Sequence, residues 1–258
     1  MRLMKRILSA AAVLALSASL LVGCSSGTAS SVPVSASSAA ESTVSSVEET
    51  ASSAVDENEA AAAQLLNDLT GSYQELWPVI LADEYKQTWL DVCTALVGED
   101  NAEAAFEKLS SMVTGDVYGE DAVKAYANGG GAYFCGFTNS LATLTFDGET
   151  STISGTDKDG NVLFSHTYHY IGMEPVHGLY EFESDDADSG EFTYFFLAPD
   201  TSAETYHIEF RYGSDADALS QYDAGDYAYW LASGISTDCD QTMIDNCIKL
   251  FCTENLAG

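Results

Sequence analysis

From Gly131 to Tyr212 the chain repeats one kind of unit, a short run rich in aromatic and β-branched residues followed by a polar break, and this repetition restricts the fold more than any other feature. The runs are Ala132 to Phe137, Leu141 to Phe146, Glu149 to Asp157, Val162 to Tyr170, Gly178 to Glu183, Phe192 to Leu197 and Thr205 to Tyr212. Each has the length and composition of a strand. Asp147-Gly148 and Asp159-Gly160 mark tight turns, since Asp-Gly supplies the positive φ that a two-residue hairpin needs. Seven antiparallel strands with helices at one end predict a closed or nearly closed barrel.

The flanks of this region have a different period. Ala60 to Asn67, Gly71 to Ala82, Glu84 to Val97 and Ala102 to Met112 place apolar residues three and four apart, which predicts helices. A last helix is expected from Asp240 to Cys252, capped by Thr237 or Asp238, with Met243, Ile244, Cys247, Ile248 and Phe251 on its buried face. The fold class is therefore mainly β, with N-terminal helices and a C-terminal helix around an antiparallel β-barrel.

The run Thr205-Tyr206-His207-Ile208-Glu209-Phe210-Arg211-Tyr212-Gly213 carries the clearest chemical signal. Strand geometry turns His207 and Glu209 the same way, opposite to the aromatic residues between them. An imidazole beside a carboxylate is half of a zinc site, and it is equally an ordinary hydrogen-bonded pair. Zinc needs neutral imidazole and ionised carboxylate, so affinity is expected to fall as the histidine titrates near about 6.5.

Leu69, Gly71, Tyr73-Gln74 and Trp77-Pro78 resemble the opening motif, Trp-x-Gly-x-Trp-Gln followed by a proline, of the ZinT/YodA family of extracytoplasmic zinc-binding proteins. Ala198-Pro199 ahead of Thr205-Tyr206-His207 resembles its Ala-Pro and His-aromatic-His strand. Gly213-Ser214-Asp215 and Tyr227-Ala228-Tyr229-Trp230 resemble the Gly-Asn-Asp and Trp-Pro-x-Tyr-Tyr blocks that follow. The resemblance covers about residues 62 to 255 and implies a lipocalin/calycin-like barrel holding zinc. Family members bind zinc on three histidines, and the matching positions here are Phe195, Thr205 and His207, so one of the three is kept. His177 precedes Gly178-Leu179-Tyr180-Glu181-Phe182, which resembles a strand near the family's barrel mouth. The candidate metal ligands are thus His207, Glu209, His177 and Glu181.

Arg2, Lys5 and Arg6 precede an apolar run from Ile7 to Val22, too short for a stable membrane span. Leu21-Val22-Gly23-Cys24 fits a bacterial lipobox. Residues 1–23 are read as a lipoprotein signal peptide and Cys24 as the lipidated first residue of the mature chain, on the extracytoplasmic face of the cell membrane. Residues 24–59 are dominated by Ser, Ala, Val, Thr and Glu and have no aromatic residue, so they cannot bury enough surface to offset chain entropy and are read as a disordered tether. Residues 60–258 are read as one ZinT-like calycin domain, as the resemblance implies.

Loss of the signal removes three of nine basic residues and none of the forty acidic ones, leaving a net charge of −34. Such a surface repels phosphates and excludes nucleic acid as a partner. Five cysteines remain after Cys24, an odd number without Cys-x-x-Cys spacing, so most are expected to be small buried hydrophobes, with one buried pair left open. Asp157 to Asn161 reads as a hairpin turn rather than a calcium loop, because its glycine is misplaced and Tyr168 stands where a bidentate Glu belongs. His166 and His169, three apart in a strand, fall on opposite faces, and Asp185, Asp186 and Asp188 read as solvated acidic surface with a weak calcium contact left open.

There is no nucleophile elbow, His-Glu-x-x-His or phosphate loop, so no enzyme is expected. Two functions follow. One is a lipid-anchored protein that captures zinc or a similar divalent ion for import, passing it to a solute-binding protein or ABC transporter. The other is a calycin-like binding module that has lost the metal and holds a small molecule, peptide or partner protein.

Overall fold

The computed structural model describes residues 57–127, 131–199 and 204–256. The segment read as a signal, Cys24 and nearly all of the expected tether lie outside them. Eight strands, β1 (Gly71–Glu75), β2 (Thr143–Asp147), β3 (Thr152–Thr156), β4 (Val162–Met173), β5 (Tyr180–Ser184), β6 (Tyr194–Leu197), β7 (His207–Gly213) and β8 (Ala232–Ser236), form a closed barrel in chain order. Every neighbouring pair is antiparallel, and β8 closes on β1 through Tyr73 opposite Ser236 and Glu75 opposite Gly234. The helices are α1 (residues 57–68), α2 (Leu76–Ile80), α3 (Lys86–Val97), α4 (Ala102–Val113), α5 (Glu120–Ala125), α6 (Ala216–Leu219) and α7 (Gln241–Leu256).

Six of the seven expected runs are the strands β2 to β7, and both Asp-Gly pairs lie in the turns between β2, β3 and β4. Three expectations are corrected. Gly71 to Ala82 is not one helix: its first five residues are β1 and only Leu76–Ile80 coil. Ala132 to Phe137 is not a strand, because Phe134 makes only single bridges to Thr114 and Trp230. Asp240, rather than Thr237 or Asp238, caps α7 by accepting the Met243 N–H at 3.0 Å.

The direction in which each strand faces can be read from ring contacts. Phe164 and Tyr168 on β4 meet Phe195 on β6 at 5.9 and 5.4 Å between centroids, past the intervening β5, which only the barrel interior permits. Phe195 lies opposite Tyr212 in register and 5.4 Å from its ring, so Ile208, Phe210 and Tyr212 also point inward. The interior is thus a packed aromatic core. Small residues make room for it, and a Cβ on Gly155 would come within 2.4 Å of both Leu141 and Phe164.

The outer wall of β7 then carries His207, Glu209 and Arg211, and all three are buried. The residues around Cys135, the stretch after α6 and the start of α7 cover them. Arg211 is fully buried and donates to the carbonyls of Leu219, Gln221 and Tyr227, with its guanidinium 4.2 Å over the Tyr222 ring. Helices α3, α4 and α7 pack together. Phe251 lies 4.8 Å from the Trp77 ring and 6.0 Å from Trp89, whose Nε1 donates to the Ile80 carbonyl at 2.7 Å.

Candidate functional site

β7 begins at His207 because Tyr206 takes a left-handed conformation, φ 48°, that turns the chain out of the preceding loop. That turn brings Thr205 back beside the histidine, with its Oγ1 2.7 Å from His207 Nδ1. Burial pushes the imidazole down to about 4 from its ordinary 6.5, since a charged ring would have no water around it. His207 is therefore neutral throughout the physiological range. The expected titration near 6.5 is corrected accordingly, for the apo protein, by this loss of solvent.

Glu209 follows on the same outer face, opposite Ser233 in register. Ser233 N–H donates to the Cys135 carbonyl at 3.0 Å, which draws the segment around Cys135 over the carboxylate. The Cys135 thiol is held well above its usual range, first by burial and then by the nearby Glu209 charge. The structure thus brings His207 and Glu209 to one face, as the alternation predicts. It places that face under cover, a feature that periodicity alone does not report.

His177 and Glu181 lie elsewhere. Glu181 is opposite Phe196, which is opposite Arg211, so it aligns with a point four residues along β7 from His207, roughly 13 Å away at the rise of a strand. Burial raises its carboxyl, and the charges of Glu174 and Asp217 add to the effect. His177 lies against Tyr222, ring centroids 3.9 Å apart and planes tilted by 51°, and keeps its Nδ1 3.4 Å from Glu174 Oε2. Glu174, fully buried, accepts the backbone N–H groups of Val176 at 3.0 Å and His177 at 2.5 Å. Burial works to raise that carboxyl, but the bonds from His177 and Val176 outweigh it and hold it below the usual range. The four candidates form two groups. Among the described residues, no cluster of three or more His, Cys, Asp or Glu side chains is placed to hold a metal.

The remaining sequence candidates are structural. Asp157 Oδ1 accepts the N–H groups of Asp159 and Asn161 at 2.8 and 2.9 Å, which makes a hairpin turn. His166 and His169 do face opposite ways and pair separately with Asp186 and Asp185, each at 2.7 Å. Sequence reasoning missed Glu174 and Glu75. Glu75 accepts the Phe137 N–H at 2.6 Å and lines a cavity of about 340 Å³ with Trp77, Leu81, Val113, Phe134 and Cys135. Only the strand assignment of residues 71–75 would have drawn attention to it.

No family model matches the chain, and no curated protein matches its sequence. Among solved structures it is similar to the zinc-bound ZinT-like domain of Streptococcus pneumoniae AdcA, with a TM-score of 0.44 and 14% identity over 70% of this chain and 87% of that one. It is also similar to zinc-bound AdcA from Streptococcus pneumoniae, with a TM-score of 0.41 and 13% identity over 71% of this chain and 34% of the other. These likenesses concern the fold. No helix among the described residues is long and apolar enough to cross a membrane.

Proposed function

We propose that this protein is an extracytoplasmic, lipid-anchored binding protein, not an enzyme, whose cargo is a divalent cation, zinc before others. The observation that carries this reading is the buried pair on β7. His207 is neutral, its Nδ1 is engaged by Thr205, and Glu209 shares its face. A ring nitrogen fixed by an oxygen partner leaves the other nitrogen oriented for a metal. The order of blocks shared with the ZinT/YodA family supports the same reading. Two protein donors fill half of a tetrahedral site, so the ion is held loosely enough to be handed to an importer.

Calorimetric titration of the protein with zinc tests this. Binding should be weak, and His207→Ala should weaken it at least about tenfold, roughly 1.4 kcal/mol, whereas His166→Ala should change little. Because burial keeps His207 neutral down to about 4, the heat should persist at mildly acidic pH. A flat wild-type titration would remove the metal reading. What would then stand is a second one, a binding module for a small amphipathic molecule, which the cavity beside Glu75 and Trp77 favours.

The anchor is proposed at Cys24. Cys24→Ala should abolish lipid labelling and release the protein from the membrane fraction. Retention of the variant in membranes would assign the attachment to another part of the chain.

A further inference from the structure

Cys93 on α3 and Cys252 on α7 are 159 positions apart in sequence, yet their Sγ atoms lie 4.0 Å apart and both residues are fully buried. Their helices are already fixed against each other, since Trp89, one turn before Cys93, meets Phe251, the neighbour of Cys252. The gap exceeds a sulfur–sulfur bond by roughly 2 Å, so the two side chains must rotate toward each other for a bond to form. Cys247 has a different neighbour, the Thr205 carbonyl at 3.2 Å, and Cys135 lies under β7 near Glu209.

We propose that Cys93 and Cys252 are a disulfide-forming pair that ties α3 to α7. In the cell the oxidation rests on the extracytoplasmic placement proposed above, because such bonds persist only in oxidising compartments. The oxidant is a disulfide R–S–S–R. One cysteine thiolate attacks it and releases a first thiolate, the other cysteine attacks the mixed disulfide and releases a second, and the two thiol protons pass to the two R–S groups. The protein loses two hydrogens and the oxidant becomes two R–SH.

Burial sets the timing of this reaction. In the folded chain both thiols are held above their usual range, chiefly by burial, and thiolate is scarce. Exchange must therefore occur while α7 is still docking. Once formed, the bond is shielded from reductants by the same packing.

The test is independent of location. The full chain, reduced and unfolded, is refolded with oxidised and reduced glutathione, alkylated without reductant and mapped by mass spectrometry, and the chain isolated from an oxidising compartment is mapped alongside. The expected result is one peptide pair linking Cys93 to Cys252, two hydrogens lighter than the reduced pair. The apparent Tm should be higher than that of the same protein after reduction by roughly 10 °C, because the bond closes a long loop. In Cys93→Ala, Cys252 should be alkylated. A folded wild-type chain with both cysteines alkylated, or one that links Cys239 to Cys247 instead, would overturn the proposal. Oxidation in glutathione but not in the cell would keep the pair and reject the proposed location.

Discussion

Phe251→Ala should lower the unfolding free energy by roughly 3–5 kcal/mol, the range for truncating a buried aromatic side chain. Phe251 is buried where the last helix meets the first part of the domain, with edge contacts to both Trp77 and Trp89. Its removal deletes the transfer energy of the ring and leaves a cavity between two tryptophans that cannot both move in. Trp89 is pinned by its bond to the Ile80 carbonyl, and Trp77 lies in α2 directly after a barrel strand. Aromatic pairing adds about 0.5–1.5 kcal/mol beyond the area term. Urea denaturation at neutral pH measures the loss. Exposed Lys249, on the opposite side of the same helix, provides the control, and its truncation should cost less than about 0.5 kcal/mol. A Phe251 variant as stable as the control would make α7 a peripheral tail.

The stripe that leads to this expectation was legible because α7 spans sixteen residues, long enough for a 3.6-residue period to show. Ile244, Cys247, Ile248 and Phe251 are buried as expected, with Cys252 joining them and Met243 only partly covered. β2 to β7 were legible as short runs rich in aromatic and β-branched residues, separated by polar breaks that include two Asp-Gly turns. The barrel's closing strands were not. β1 has five residues, too few to separate a period of two from one of 3.6. β8 is Ala-Ser-Gly-Ile-Ser, poor in strand-forming side chains because its neighbour is bulky: a Cβ on Gly234 would stand 3.0 Å from Ile208. Ala132 to Phe137 has the aromatic content of a strand, but pairing is a property of neighbours, and this segment has only bridges. At the site, direction was legible and burial was not. Covering β7 requires contacts from residues around 135, 219–227 and 247, which no local pattern along the strand encodes.

That hidden burial gives His207 a measurable effect on stability in acid. The unfolded imidazole takes a proton near 6.5, whereas the folded one resists until about 4. Between those values the unfolded chain binds the extra proton, so folding stability falls as pH falls. The contribution is complete above 6.5 and lost as pH drops through the folded value. With one pKa unit equal to about 1.4 kcal/mol, the metal-free protein should lose roughly 2–3 kcal/mol from this group alone between neutral pH and pH of about 4.5. Acidic residues titrate over part of the same range, so the quantity to measure is the difference between wild type and His207→Gln in urea unfolding at each pH. Gln removes the titration and can still reach Thr205. The variant should be less stable than wild type near neutral pH, from lost packing, and the difference should narrow by those 2–3 kcal/mol as the solution is acidified. Parallel curves would mean that the folded ring takes up its proton as the unfolded one does. That outcome needs water or a compensating charge at the ring in place of the cover that now excludes it, and the buried, neutral ligand from which the metal reading is argued would be lost with it.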